Sequence, residues 1–277
     1  MTNINGSIGF TFLKNKDYKI LVLADMHSTL PYCNIDGIFI SEWLKKKYNS
    51  KVLLEEVPRQ GNQLKELWPS APHTQKLKEM YLQNSTIIQG IDVRPFLLPF
   101  SWELVFDKKI QDITLRNYLN LINLFYNLKL DFFRNDLKDI YNPYSLKNTQ
   151  LGIHYLQNKQ KMKNYVKTNK KLLSRTIREL YEENQPILEE INDLISDIME
   201  WYMIAKIFQG IKQNKKQFII HAGLAHTTNV IKLLKNNYMY EIISNNGITS
   251  MEHIREHNGC LHLPSEIENQ FGGFLYV

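Results

Sequence analysis

Cysteine is nearly missing from this chain: Cys33 and Cys260 are its two cysteines in 277 residues. Two are too few for a disulfide-stapled scaffold, so the expectation is a reducing compartment and a fold held by its core, with one bridge left open as an alternative. No run approaches the roughly 20 continuous apolar residues of a membrane span. The opening residues, MTNINGSIGF, lack the charged-then-apolar layout of a secretion signal, and a soluble cytoplasmic protein is expected. A Gly-rich phosphate loop is missing, as are internal repeats. What remains is 43% hydrophobic, enough for one sizeable core with a helical appendage.

The formal charge of +6 raises the question of a polyanionic partner. Much of the excess is lysine interleaved with asparagine, as in LQNKQKMKNYVKTNKK (156–171), which reads as the solvated face of a helix. Nucleic acid is therefore not the expected partner, nor is a membrane. Lysine, asparagine and isoleucine together are also what an A+T-rich genome favours.

Four short apolar stretches each run into an acid or a histidine: KILVLADMH (19–27), KVLLEE (51–56), TIIQGID (86–92) and QFIIHAGLAH (217–226). Short Ile/Leu/Val runs without polar alternation read as parallel strands covered on both faces. The polar residue then stands at the carboxyl end of its strand, the edge of an open α/β sheet where ligands bind. DGIFISEWLKKKYN and QKLKEMYLQ read as crossover helices, with KVLLEE completing a β-α-β unit. Residues 8–13 read as a first strand or hairpin, MYEIIS as a late strand and FGGFLYV as a final one. From 101 to 216 apolar residues recur every three or four positions, and a long amphipathic helix is predicted from Pro186, with Ile187, Ile191, Leu194, Ile198 and Tyr202 on its buried stripe. The expected fold is one α/β domain over 1–277: a mainly parallel central sheet flanked by helices, with a helical subdomain inserted at 101–216 over the carboxyl edge of the sheet.

His27 becomes interesting through its company. Glu55 or Glu56 on a neighbouring strand could orient its ring for general-base work, or the same groups could hold a divalent ion. Only one of the two acids can point to a given face, and Glu55, the first residue after the apolar run, is the better placed, with Glu56 behind it. His221 and His226 bracket the strand-to-helix turn, where Gly223 permits a tight turn. Free amides at that helix start could receive an anionic oxygen, and Thr227 and Thr228 read as caps. Asp92 and Arg94 either bridge each other or leave Arg94 to bind a substrate carboxylate or phosphate. Glu200 and Lys206 on the long helix are further candidates. HIREH, at 253–257, has the inverted H-x-x-E-H order of a zinc site, with Cys260 and His262 close by. His73 and His154 carry no such pattern.

The succession ADMH, LLEE, GIDVRP and HAGLAHT resembles the superfamily that joins erythromycin esterases, ChaN-like haem-binding proteins and Tiki/TraB proteins. The resemblance implies a site of His27, Glu55 and His226, with Gly90 and Asp92 as the G-x-D element and Gly223 with His226 as the last one. Where that family has glycine and often glutamate in its first motif, this chain has Ala24 and Asp25. The implied activity is hydrolysis of an ester or a peptide or amide bond in a small-molecule or peptide substrate. In that scheme His27 is the general base, Glu55 orients it or helps hold a metal, and His226 stabilises the oxyanion or binds the same ion. Asp25, Glu56, Asp92, Arg94 and His221 would bind substrate or support these groups. The alternatives are a module binding a divalent metal or haem without turnover, and an inactive scaffold of viral origin. Oligomeric state has no signal in the sequence.

Overall fold

The computed structural model describes residues 1–28, 31–33, 36–47, 49–58, 71–83, 88–98, 113–183, 186–254 and 258–271. It is a mixed α/β protein that divides into two compact units, Met1–Ile91 with Gly210–Val277, and Asp92–Gln209. The boundary thus falls at 92 and 209 rather than at the expected 101 and 216.

The first unit holds a six-stranded sheet. Its strands are β2 (Gly9–Asn15), β3 (Tyr18–Asp25), β5 (Lys51–Leu54), β6 (Ile88–Gly90), β7 (Gln217–Gly223) and β8 (Glu241–Gly247), in the order β6-β5-β7-β3-β2-β8. From β6 to β3 every neighbouring pair is parallel. The other two pairs, β3 with β2 and β2 with β8, are antiparallel, so the sheet is mixed. A two-residue turn, Lys16 and Asp17, joins β2 to β3, and so short a link can only reverse the chain. The expected β-α-β neighbours are also separated. Although β3 and β5 run the same way, β7 lies between them. Ile20 to Ala24, Val52 to Leu54 and Phe218 to Ile220 are buried, which matches their uninterrupted apolar character.

A second, three-stranded sheet was not expected. In it β1 (Thr2–Asn5) pairs in parallel with β4 (Ile38–Phe39) and antiparallel with β9 (Cys260–Leu263). Helices α1 (Ile40–Lys45) and α2 (Pro72–Gln83) lie between strands of the first unit, and α10 (Leu224–Tyr238) follows β7 directly. Near the carboxyl end, α11 (Ser265–Phe271) sets Phe271 edge-on against Phe12 of β2. The expected strand FGGFLYV begins on this helix at Phe271, and 272–277 lie outside the described residues.

The second unit is helical among its described residues: α3 (Leu115–Tyr118), α4 (Asn120–Tyr126), α5 (Asp131–Asp136), α6 (Pro143–Leu146), α7 (Gln150–Thr168), α8 (Ile177–Glu183) and most of α9 (Pro186–Lys212). The predicted stripe of α9 is buried at Ile187, Ile191, Leu194, Ile198 and Tyr202. Trp201 of the same helix donates its indole N–H to Leu151 O at 3.0 Å. Phe125 sits within 5.6 Å, ring to ring, of Tyr126, Phe133, Tyr141, Tyr155 and Trp201. Burying each such side chain stabilises the unit by about 1.5–3 kcal/mol. The lysine-rich run forms most of α7 and exposes Lys161, Lys163 and Lys167, as a solvated face requires. Among the described residues no helix is long and apolar enough to cross a membrane.

Candidate active site at the strand ends

Register decides what meets at the carboxyl edge. Asp25 is opposite Gly223 across β3 and β7, while Leu54 is opposite His221 across β5 and β7. The amide of Glu55 extends that ladder by donating to His221 O at 3.0 Å. Three strands therefore deliver Asp25, Glu55 and the start of α10 to one place.

His27 lies between two carboxylates. Its Nδ1 is 3.0 Å from Asp25 Oδ2 and its Nε2 is 2.8 Å from Glu55 Oε2. The backbone of His27 is left-handed, φ 50°, a conformation that costs an ordinary residue about 1–2 kcal/mol. The two ring contacts hold it there. Burial opposes a charged His27, but the Glu55 carboxylate and the hydrogen bonds to Asp25 and Glu55 overcome it and hold the ring well above its ordinary value. Each ring nitrogen thus faces a carboxylate oxygen, and about a quarter of the side chain reaches solvent.

Glu55, not Glu56, is the acid that faces the histidines. Its Oε2 also accepts from Gly223 N at 2.5 Å, at the start of α10, where a negative charge is favoured. Its Oε1 is 3.7 Å from Nε2 of His226, a buried residue in the first turn of that helix. Glu56 is half-buried and its amide turns back to Leu54 O at 2.7 Å. Gly223 is needed for space rather than for turning. Its φ of −55° suits any residue, whereas a Cβ there would stand 3.0 Å from His27 Nε2 and 3.3 Å from Glu55 Oε2.

Asp25 is almost fully buried and shared. Besides His27 it accepts from His73 Nε2, 3.0 Å from Oδ1 and 3.1 Å from Oδ2, and from Met26 N at 2.7 Å. Burial works against its charge, yet the hydrogen bonds from His27 and His73 prevail and keep the carboxyl well below the usual carboxylate range. His73, which no sequence pattern marked, thus belongs to the site. Its position just after Pro72 at the head of α2 gives no sign that it meets a strand 48 residues earlier. His221 points elsewhere, donating from Nε2 to Gly6 O at 3.1 Å, and burial lowers its pKa.

The remaining candidates have other partners. Asp92 and Arg94 belong to the second unit and bridge each other: Nε donates to Oδ1 at 2.7 Å and Nη2 to Oδ2 at 2.8 Å, both side chains buried. That bidentate pairing occupies the guanidinium edge expected for a substrate anion. Lys206 donates to Asp136 at 2.9 Å within the helical unit. Cys260 is not a loop thiol or a zinc ligand, because it is bonded to Cys33. His262 contacts Asn3 Oδ1 at 2.6 Å. Residues 255–257 of HIREH lie outside the described residues.

Among the described residues no three His, Cys, Asp or Glu side chains are grouped so as to hold an ion. Both His27 nitrogens are directed at carboxylate oxygens. Compared with protein-family models, curated proteins and solved structures, the chain matches none.

Proposed function

We propose that the protein hydrolyses an ester or an amide bond, as the resemblance to the erythromycin esterase and Tiki superfamily implies, with the parallel half of the sheet as the scaffold of its site. The observation that carries this reading is a single carboxylate, Glu55, touching two histidines from different strand ends. The roles expected of those histidines are exchanged. An imidazolium bonded through both nitrogens is a poor base, so His27 is the general acid and His226 the base.

The 3.7 Å between His226 Nε2 and Glu55 Oε1 is too long for a direct hydrogen bond. It suits one water bridging both atoms. In this scheme His226 takes a proton from that water as its oxygen attacks the carbonyl carbon. As the carbonyl carbon's bond to the leaving group breaks, the departing alcohol or amine displaces Glu55 Oε2 as acceptor of the His27 Nε2 proton and takes it. Proton exchange through Glu55 then restores both rings.

The test is turnover of p-nitrophenyl esters and an anilide by the purified protein. His226→Ala and His27→Ala are each expected to lower kcat/KM by about 10²–10⁴-fold, the usual worth of a positioned acid or base, with the melting temperature little changed in His226→Ala and lowered in His27→Ala, which leaves two buried carboxylates without their shared partner; rates are read where both variants are folded. Equal rates in wild type and both variants, or no turnover of either bond type by the wild type, would sink the reading.

A further inference from the structure

We propose that His73 is a positioning residue of this site, holding the Asp25 carboxylate in the one orientation that fixes His27. The consequence for turnover rests on the hydrolytic reading; the geometric claim does not.

Asp25 and His27 are two residues apart, and the left-handed backbone at His27 lets the chain bring them together. Within that turn the Met26 amide meets Oδ1 and His27 meets Oδ2, but no local group spans both oxygens. His73 does, because its Nε2 lies 3.0 and 3.1 Å from the two oxygens, on a residue 1% exposed. A buried carboxylate needs its lone pairs met, and three donors meet this one: His73, His27 and the amide of Met26.

The imidazole of His73 is itself fixed on two further sides. Tyr32 Oη lies 3.4 Å from Nδ1, with the rings edge to face. Gly6, with φ +99°, packs so closely that a Cβ there would fall 2.7–2.9 Å from His73 Cβ, Cγ and Cδ2. The carbonyl of the same glycine receives the proton of His221. His73 is thereby held with Nε2 facing the Asp25 carboxylate. This is how outer groups orient the histidines of many sites, where their loss typically lowers activity about 10- to 100-fold.

Two variants separate positioning from mere packing. His73→Phe fills the volume without a donor, and His73→Gln carries an amide N–H that can reach where Nε2 stood. In 15N-labelled wild type, the imidazole protons directed at Asp25 from His27 Nδ1 and His73 Nε2 should give two downfield N–H signals. His73→Gln should retain the His27 signal and near wild-type kcat. His73→Phe should lose both signals and lower kcat by about 10- to 100-fold with KM unchanged. A folded His73→Phe protein that keeps the His27 signal overturns the inference. Should that variant not fold, His73→Asn, whose amide is one carbon shorter, replaces it, and retention of the His27 signal there is equally fatal. The spectra need no substrate, so failure to hydrolyse the esters leaves this test standing.

Discussion

Gly223 shows how little room separates the three groups that meet at the strand ends. An Ala there keeps an ordinary backbone but sets its methyl 3.0 Å from His27 Nε2, closer than nine in ten real Cβ contacts. We expect Gly223→Ala to fold normally, by circular dichroism, while kcat/KM falls about tenfold, since misplacing reacting groups by 1 Å costs about 10²-fold and this shift is smaller. Asp25, Glu55 and His226 were legible one residue at a time because each follows a stretch too apolar to be anything but buried. The contacts of His27 were not legible, because the carboxylates at its two nitrogens arrive from two strands. His73 was hidden for a related reason: its partner is 48 residues away and its own neighbours, Pro72 and Thr74, announce only the start of a helix.

Among elements, strands buried on both faces were the readable ones. The apolar runs of β3, β5 and β7 follow from their position inside the sheet, and α9 follows from its stripe and its opening proline. The short strands β1 and β9, TNIN and CLHL, carry too little pattern to stand out, and their pairing across the chain is what makes them strands. The place of β7 between β3 and β5 was equally invisible, since nothing in either strand names its neighbour. Helix α7 illustrates a cost inside an otherwise ordinary element. Its His154 is buried, and burial lowers its pKa to about 4. A depressed histidine stabilises the fold fully above its unfolded value near 6.5 and loses that contribution as the pH falls toward the folded one. The wild type should therefore lose stability to urea between about pH 6.5 and 4 that His154→Leu retains, a difference of about 3 kcal/mol at the acid end. Parallel pH dependence of the two proteins would mean the imidazole is solvated.

At the scale of the molecule, the Cys33–Cys260 bridge is the feature that cysteine scarcity argued against. Two cysteines 227 positions apart have no local signature, and they meet because β1 pairs with β9 and Asn5 binds the amide of Cys33. Replacing both with serine should lower the free energy of unfolding by about 2–5 kcal/mol, read by denaturant titration of the oxidised protein against the variant. No change would show that the strand pairing alone suffices. The bridge also has a topological result. Every peptide bond from residue 34 to 259, the helical unit included, lies within one covalent ring. A protease that cuts once anywhere in that span cannot release a fragment: the nicked protein should migrate as a single species on a denaturing gel and part into two bands only after a thiol reductant is added.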